Sequence, residues 1–166
     1  MIVHLGADYL GYERARTLEA WLAESGYEVR WHGSPEYDHE DDYPVYSIRV
    51  GHAVVQDEDN TVMSKGVVVG GTGSAETIVA NKVRGGRAVA GVSIPAVVDA
   101  RKIADANILI LGASEQSLEQ SQALITAFLA TDFSNNLDDA RRVINTAEFE
   151  NSGTIEGWLV EEADAT

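Results

Sequence analysis

Apolar runs of strand length and amphipathic stretches of helical spacing alternate along this chain. Ile2, Val3 and Leu5 make the opening a short strand, which Gly6-Ala7-Asp8 closes with a carboxylate. From Gly11 to Ser25, Ala15, Leu18, Trp21 and Leu22 recur at helical spacing among charged residues, and Gly26 stops the helix. Tyr27 to Trp31 alternates apolar with charged positions and predicts a second strand. Ser34 to Asp42 is polar, acidic and Pro-containing, hence a loop. Tyr43-Pro44 then starts a helix with Val45, Ile48, Val50 and Val54 that runs to about Val55. Gln56 to Lys65 reads as a polar connection.

The uninterrupted β-branched run Val67-Val68-Val69 predicts a buried parallel strand, and Gly70-Gly71-Thr72-Gly73 turns the chain into a third helix. After the Gly85-Gly86 turn come a strand from Arg87 to Gly91, a helix from Ile94 to Ala104 and a strand from Asn107 to Leu111. A long helix follows at about Leu118 to Ala130, and another from Leu137 to Ala147. Strand and helix thus alternate five times, which predicts an α/β chain: a doubly wound five-stranded parallel sheet with right-handed crossovers and an extra C-terminal helix. Residues 1–147 form the domain on this reading, and 148–166 an arm. The arm either packs across the domain or reaches a second subunit, with Trp158 and Leu159 as its anchor.

At 166 residues with 45% hydrophobic content, the length suits one domain with a single core. No run approaches the roughly 18 apolar residues of a membrane span, and no basic-then-apolar leader opens the chain. A soluble, cytoplasmic protein is expected. The formal charge of −15, from 27 acidic against 12 basic residues, excludes a nucleic-acid binder and disfavours a phosphorylated ligand unless a local basic cluster attracts it. Zero cysteines remove thiolate chemistry and Cys-based metal sites.

The Gly-rich turn is where chemistry is expected. Backbone N–H groups from Gly71 to Ala75, at a helix start, lack intrahelical partners and form an anion pocket over the strand end. Glu76 falls in the first turn of that helix. Beside such a pocket it is placed to abstract a proton next to a carbonyl; equally, it can merely complement the helix dipole. His39-Glu40-Asp41-Asp42 suggests either a metal site or, with no second ligand pair at fixed spacing, a solvated acidic loop. His4 reads as core-lining, and His32, His39 and His52 share no spacing, so no metal is expected.

Gly6-Ala7-Asp8 with Gly11-Tyr12-Glu13, Asp42-Tyr43-Pro44, Gly71-Thr72-Gly73, Ala80-Asn81-Lys82-Val83, Asp105-Ala106-Asn107, Leu111-Gly112-Ala113 and Arg141-Arg142-Val143 occur in one order and spacing. Over residues 1 to 145 the chain resembles the B-type ribose-5-phosphate isomerases and the galactose-6-phosphate isomerase subunits. The resemblance implies a Rossmann-like sheet, a homodimer or dimer of dimers with a shared active site, and cofactor-free aldose–ketose isomerisation through an enediolate. It implies a base that is either Cys at the position of Gly70 or Glu at that of Glu76, and this chain resembles the glutamate branch. Catalytic roles then fall to Glu76, to Thr72 moving protons between substrate oxygens, and to Asp8 holding sugar hydroxyls. Substrate contacts fall to Tyr9, Gly71, Gly73, Ser74, Ala75, Asn81, Arg141 and Arg142, with Asn81 and Lys82 also supporting the loop.

The departures bear on substrate. Tyr9 stands where the family has His, Ile103 replaces the His that assists ring opening, and Val92 fills a position often His or aromatic. Ser114 replaces an Arg, Asp138-Asp139 an Arg-His pair. The implied substrate is a small sugar or sugar phosphate, with modified or unphosphorylated sugars favoured; the alternatives are a catalytically impaired helper subunit and a binding module.

Overall fold

Apolar side chains on both faces of the central strands dictate a sheet covered on both sides. The computed structural model describes residues 1–154, so Trp158 and Leu159 lie outside the described residues. The elements are β1 (Ile2–Ala7), α1 (Tyr12–Glu24), β2 (Glu28–Trp31), α2 (Tyr43–Asp59), β3 (Ser64–Gly70), α3 (Ser74–Ala80), β4 (Ala88–Ala90), α4 (Ile94–Ala104), β5 (Ile108–Gly112), α5 (Leu118–Ala130) and α6 (Leu137–Ser152). The strands form one parallel sheet in the order β2-β1-β3-β5-β4. Val3, Leu5, Val67, Val69, Leu109 and Leu111 pack against Ala15, Leu18 and Leu22 of α1, Val97 of α4 and Leu124, Ile125 and Phe128 of α5. On the other face Val68, Ile108 and Ile110 meet Val50 and Val54 of α2 and Ala80 of α3. The chain leaves β1 toward β2 on one side and β3 on the other, so a crevice opens where those strands end, at Asp8 and Gly70. No helix among the described residues is long and apolar enough to cross a membrane.

Three elements extend well beyond the sequence expectation. α2 continues past Val55 to Asp59 because its last turn is anchored through polar groups. Asp57 Oδ2 lies 2.9 Å from His4 Nε2, while Glu58 pairs with Arg87 at 3.3 Å and accepts from Asn107 Nδ2 at 3.1 Å. β3 begins at Ser64, since Ser64, Lys65 and Gly66 already pair with Ile2, Val3 and His4. α6 runs past Ala147 to Ser152, ending at Gly153 with φ +73°.

His4 is buried as expected, but with polar company: its Nδ1 faces His32 Nε2 at 2.8 Å. One of those two nitrogens must be unprotonated for the bond to exist. Burial, and then the nearby His4 ring, Arg49 and Arg30, hold His32 down to about 4, against a smaller opposite pull from Asp57. An unfolded histidine titrates near 6.5, so between these values the unfolded chain binds more protons and stability falls as pH drops. Asp8, raised to about 6, acts in the opposite sense over the same range, so the His32 share is read as a difference: from pH 7 to 4.5 the urea midpoint of the parent protein is expected to fall relative to that of His32→Gln, and a constant difference would contradict the assignment.

Candidate active site

The loop after β3 is tied to the neighbouring strand exit. Gly70 O accepts from Ala113 N at 2.8 Å, and Gly71 O accepts from Ser114 N at 3.0 Å and Ser114 Oγ at 2.7 Å. Gly73, with φ +81°, caps α3 and accepts from Thr77 N at 3.0 Å and Thr77 Oγ1 at 2.7 Å. Thr72 Oγ1 accepts from Ser74 N at 3.3 Å. Among the described residues no group accepts from the N–H of Thr72, Gly73, Ala75 or Glu76. The expected cradle is present, with Thr72 and Ser74 exposed at its lip.

Glu76 is 4% exposed and turns over this loop rather than into solvent. A Cβ added at Gly70 would lie 2.0 Å from Glu76 Oε1 and 2.1 Å from its Cδ, so the carboxylate occupies the space a side chain at 70 would need. Across the crevice Asp8 is equally buried, its Oδ1 accepting from Gly11 N at 3.0 Å. Burial pushes Asp8 up to about 6; the Gly11 N–H opposes the rise, and the charges of Glu76 and Asp41 add to it. Asp8, Thr72, Glu76 and the loop amides thus lie around one strand-end crevice. Tyr9 sits half-buried beside them, its N–H donating to Asp41 Oδ1 at 2.8 Å. Asp41 is the contributor that sequence reasoning missed: nothing in the acidic run His39-Glu40-Asp41-Asp42 marks which carboxylate turns inward.

Asn81 does not join the site. It caps the far end of α3, where its Nδ2 donates to Thr77 O and Ala88 O and its Oδ1 accepts from Ala88 N, all at 2.9 Å. Those bonds fasten α3 to β4, the supporting role, and use both Nδ2 hydrogens. Arg141 and Arg142 lie elsewhere again, on α6, which packs on α4. Each is paired one turn back with the acids that stand where the family has Arg-His: Arg141 with Asp138 at 3.4 Å, Arg142 with Asp139 at 2.7 Å. Asp139 is held ionised by Ser134, Asn136 and Arg142. Arg142 and Ile103 line a largely apolar groove of about 750 Å³ between α4, β4 and α6, with Val89, Val143 and Phe149. The groove meets Asn81 at the C-terminal end of α3, about 10 Å along that helix from the cradle. It holds neither Glu76 nor Asp8. No group of His, Asp and Glu among the described residues is arranged to hold a metal ion.

The sequence pattern of the Ribose/Galactose Isomerase family matches residues 3–145. The chain belongs to this family. It is 34% identical over 150 residues to a ribose-5-phosphate isomerase B of Mycobacterium tuberculosis, covering 90% of each chain. It is 30% identical over 156 residues to a 4-deoxy-4-sulfo-D-erythrose isomerase of a Clostridium strain, covering 94% of this chain and 96% of that one. The ribose-5-phosphate isomerase B structure from Clostridium thermocellum superimposes with a TM-score of 0.84 at 32% identity, over 93% of this chain and all of that one. As a ribose/galactose isomerase family member the chain is an aldose–ketose isomerase, and the five-stranded parallel sheet is that of its relatives.

Proposed function

We propose that Glu76 is the base of a cofactor-free isomerisation of a small aldose and its ketose. Its carboxylate takes the proton from C2 of the open-chain aldose, and the freed electron pair forms the C1–C2 double bond as O1 gains negative charge. The N–H groups of Thr72, Gly73, Ala75 and Glu76 face that charge. The Thr72 hydroxyl passes the O2 proton to O1, the C2 carbonyl forms, and Glu76 returns its proton to C1. Proton transfer alone balances these steps. Asp8, ionised above about 6, accepts hydroxyls of the sugar beside it. The observation that carries this reading is the carboxylate of Glu76, 4% exposed and folded over Gly70 beside amides with no other partner.

The far end of the sugar is the divergent part. Ser114 supplies no charge, and both arginines of α6 are paired and remote from the Glu76 of their own chain. They reach a cradle only if a second copy lays its α4–α6 face over the crevice, so we read the working unit as a dimer with shared sites. Even then each arginine arrives with a carboxylate attached, which suits a neutral or singly charged end better than a phosphate dianion. The relative that acts on a sulfonated tetrose has that kind of end. The test is deuterium uptake from heavy water at C1 or C2 in a panel of D-ribose, D-ribose 5-phosphate, D-erythrose 4-phosphate and 4-deoxy-4-sulfo-D-erythrose. Uptake is expected with a panel member, fastest where the distal charge is least. A silent panel overturns the reading in favour of a helper subunit.

A further inference from the structure

Asp41 differs from the acidic residues around it. His39 and Glu40 are exposed and meet only at 4.0 Å, and Asp42, the N-cap of α2, makes no side-chain cap bond. Asp41 turns inward: besides Oδ1 on the Tyr9 N–H, its Oδ2 is sealed from water, makes no hydrogen bond of ordinary geometry among the described residues, and has the Tyr46 hydroxyl as the neutral donor nearest to it. No cation among the described residues forms an ion pair with it. If an acceptor for Tyr9 were all this turn required, a neutral amide would serve without the desolvation cost of a charge. The charge itself is what needs an explanation.

Its neighbours supply one. Asp8 immediately precedes Tyr9, so the bond that fixes the Tyr9 peptide also fixes the turn from which the Asp8 carboxyl projects. Facing Asp8 are Glu76 from α3, Asp41 from the loop before α2, and the N–H groups of Gly11 and Leu10 from the turn into α1. Behind Asp41 stands Tyr46 of α2, pushed up by its own burial and then by Asp41, with Arg49 lying 5.8 Å from the Tyr46 ring centre. Asp41 therefore acts on the β1 exit twice, through a hydrogen bond and through space.

We propose that Asp41 is the positioning residue of the β1 exit: it locks the Tyr9 peptide, and with it the Asp8 carboxyl beside Glu76, and supplies a fixed negative charge against which Asp8 works. This rests on the assignment of Asp8 and Glu76 above. Asp41 touches no reacting atom; it sets the geometry of Asp8 and the pH below which Asp8 stops accepting sugar hydroxyls.

Two variants separate the two actions. Asp41→Asn keeps an acceptor for Tyr9 and removes the charge, whereas Asp41→Ala removes both. The readout is carbon-13 NMR of the side-chain carboxyls of the free protein, with Asp8 assigned through Asp8→Asn, together with the Tyr9 amide resonance. In Asp41→Asn the Asp8 midpoint is expected to fall by about half a pH unit with the Tyr9 amide nearly in place. In Asp41→Ala the midpoint falls and the Tyr9 amide also moves. In the sugar-exchange assay the acid limb is expected to follow the Asp8 midpoint. An Asp8 midpoint that is the same in Asp41→Asn as in the parent protein, or a Tyr9 amide unmoved in Asp41→Ala, overturns the proposal. Both NMR quantities are read without substrate, so a silent sugar panel defeats the functional reading and leaves this one to stand or fall by itself.

Discussion

Glu76→Gln is expected to slow sugar isomerisation by about 10²- to 10⁴-fold, the range for removing a general base, while the protein stays folded. The substitution exchanges one oxygen for nitrogen at unchanged volume, so the packing around a side chain that is 4% exposed survives. What is lost is an atom able to hold the migrating proton, worth about 2.7 to 5.5 kcal/mol of barrier at those ratios. The fold has a reason to tolerate the change: the charge of Glu76 is one of the causes that push Asp8 upward, and the amide relieves it. The thermal midpoint should stay level or rise slightly while Asp8 titrates lower. Exchange rates in heavy water and a melting curve on the same samples check both halves. Activity within tenfold of the parent would remove Glu76 from the mechanism; a collapsed melting curve would instead make it structural.

The legible parts of this chain are those written in apolar periodicity or in glycine. Val67 to Val69 announced a central strand and Gly70 to Gly73 the turn after it, because a buried parallel strand tolerates nothing polar and a tight turn needs glycine. Those two signals located the crevice and put Glu76 over it. Where polar contacts between distant segments decide the structure, the sequence was silent. The last turn of α2 is held by Asp57 on His4 and Glu58 on Arg87, pairs separated by many residues, so the helix looked finished at Val55. Asp41 was indistinguishable from Glu40 and Asp42 because only the folded turn after β1 selects it. Asn81 belongs to a segment shared with the family, but being shared does not say whether an amide meets a ligand or a strand; here it meets Ala88. Arg141 and Arg142 count as basic residues in a sequence, and only the helix places each one turn from an acid that occupies it.

Gly70→Ala and Gly11→Ala, the same change at two glycines of one crevice, are expected to fail in opposite ways. At Gly70 the new methyl would sit 2.0 Å from Glu76 Oε1 and 2.7 Å from Oε2, the far end of a side chain able to swing aside. Gly70 is not among the positive-φ glycines, so alanine fits its backbone. The fold should lose no more than about 1 kcal/mol, but the carboxylate must leave its place, and a misplacement of about 1 Å costs on the order of 10²-fold in rate. At Gly11 the methyl would lie 1.9 Å from the carbonyl oxygen of Val69 and 2.4 Å from its carbon. That neighbour is main chain in the middle of the sheet and has nowhere to go, so a loss of about 3 kcal/mol is expected, and any fall in activity beyond the folded fraction comes from displacing the Gly11 N–H that holds Asp8, not from Glu76. Urea unfolding beside exchange kinetics separates the two. The Gly70 geometry also accounts for an alternation that the family resemblance implies, Cys at this position or Glu at that of Glu76: a side chain at 70 and a carboxylate reaching in from 76 require the same few cubic ångströms. A Gly70→Ala protein that isomerises at the parental rate would show that Glu76 works from some other place than over the strand end.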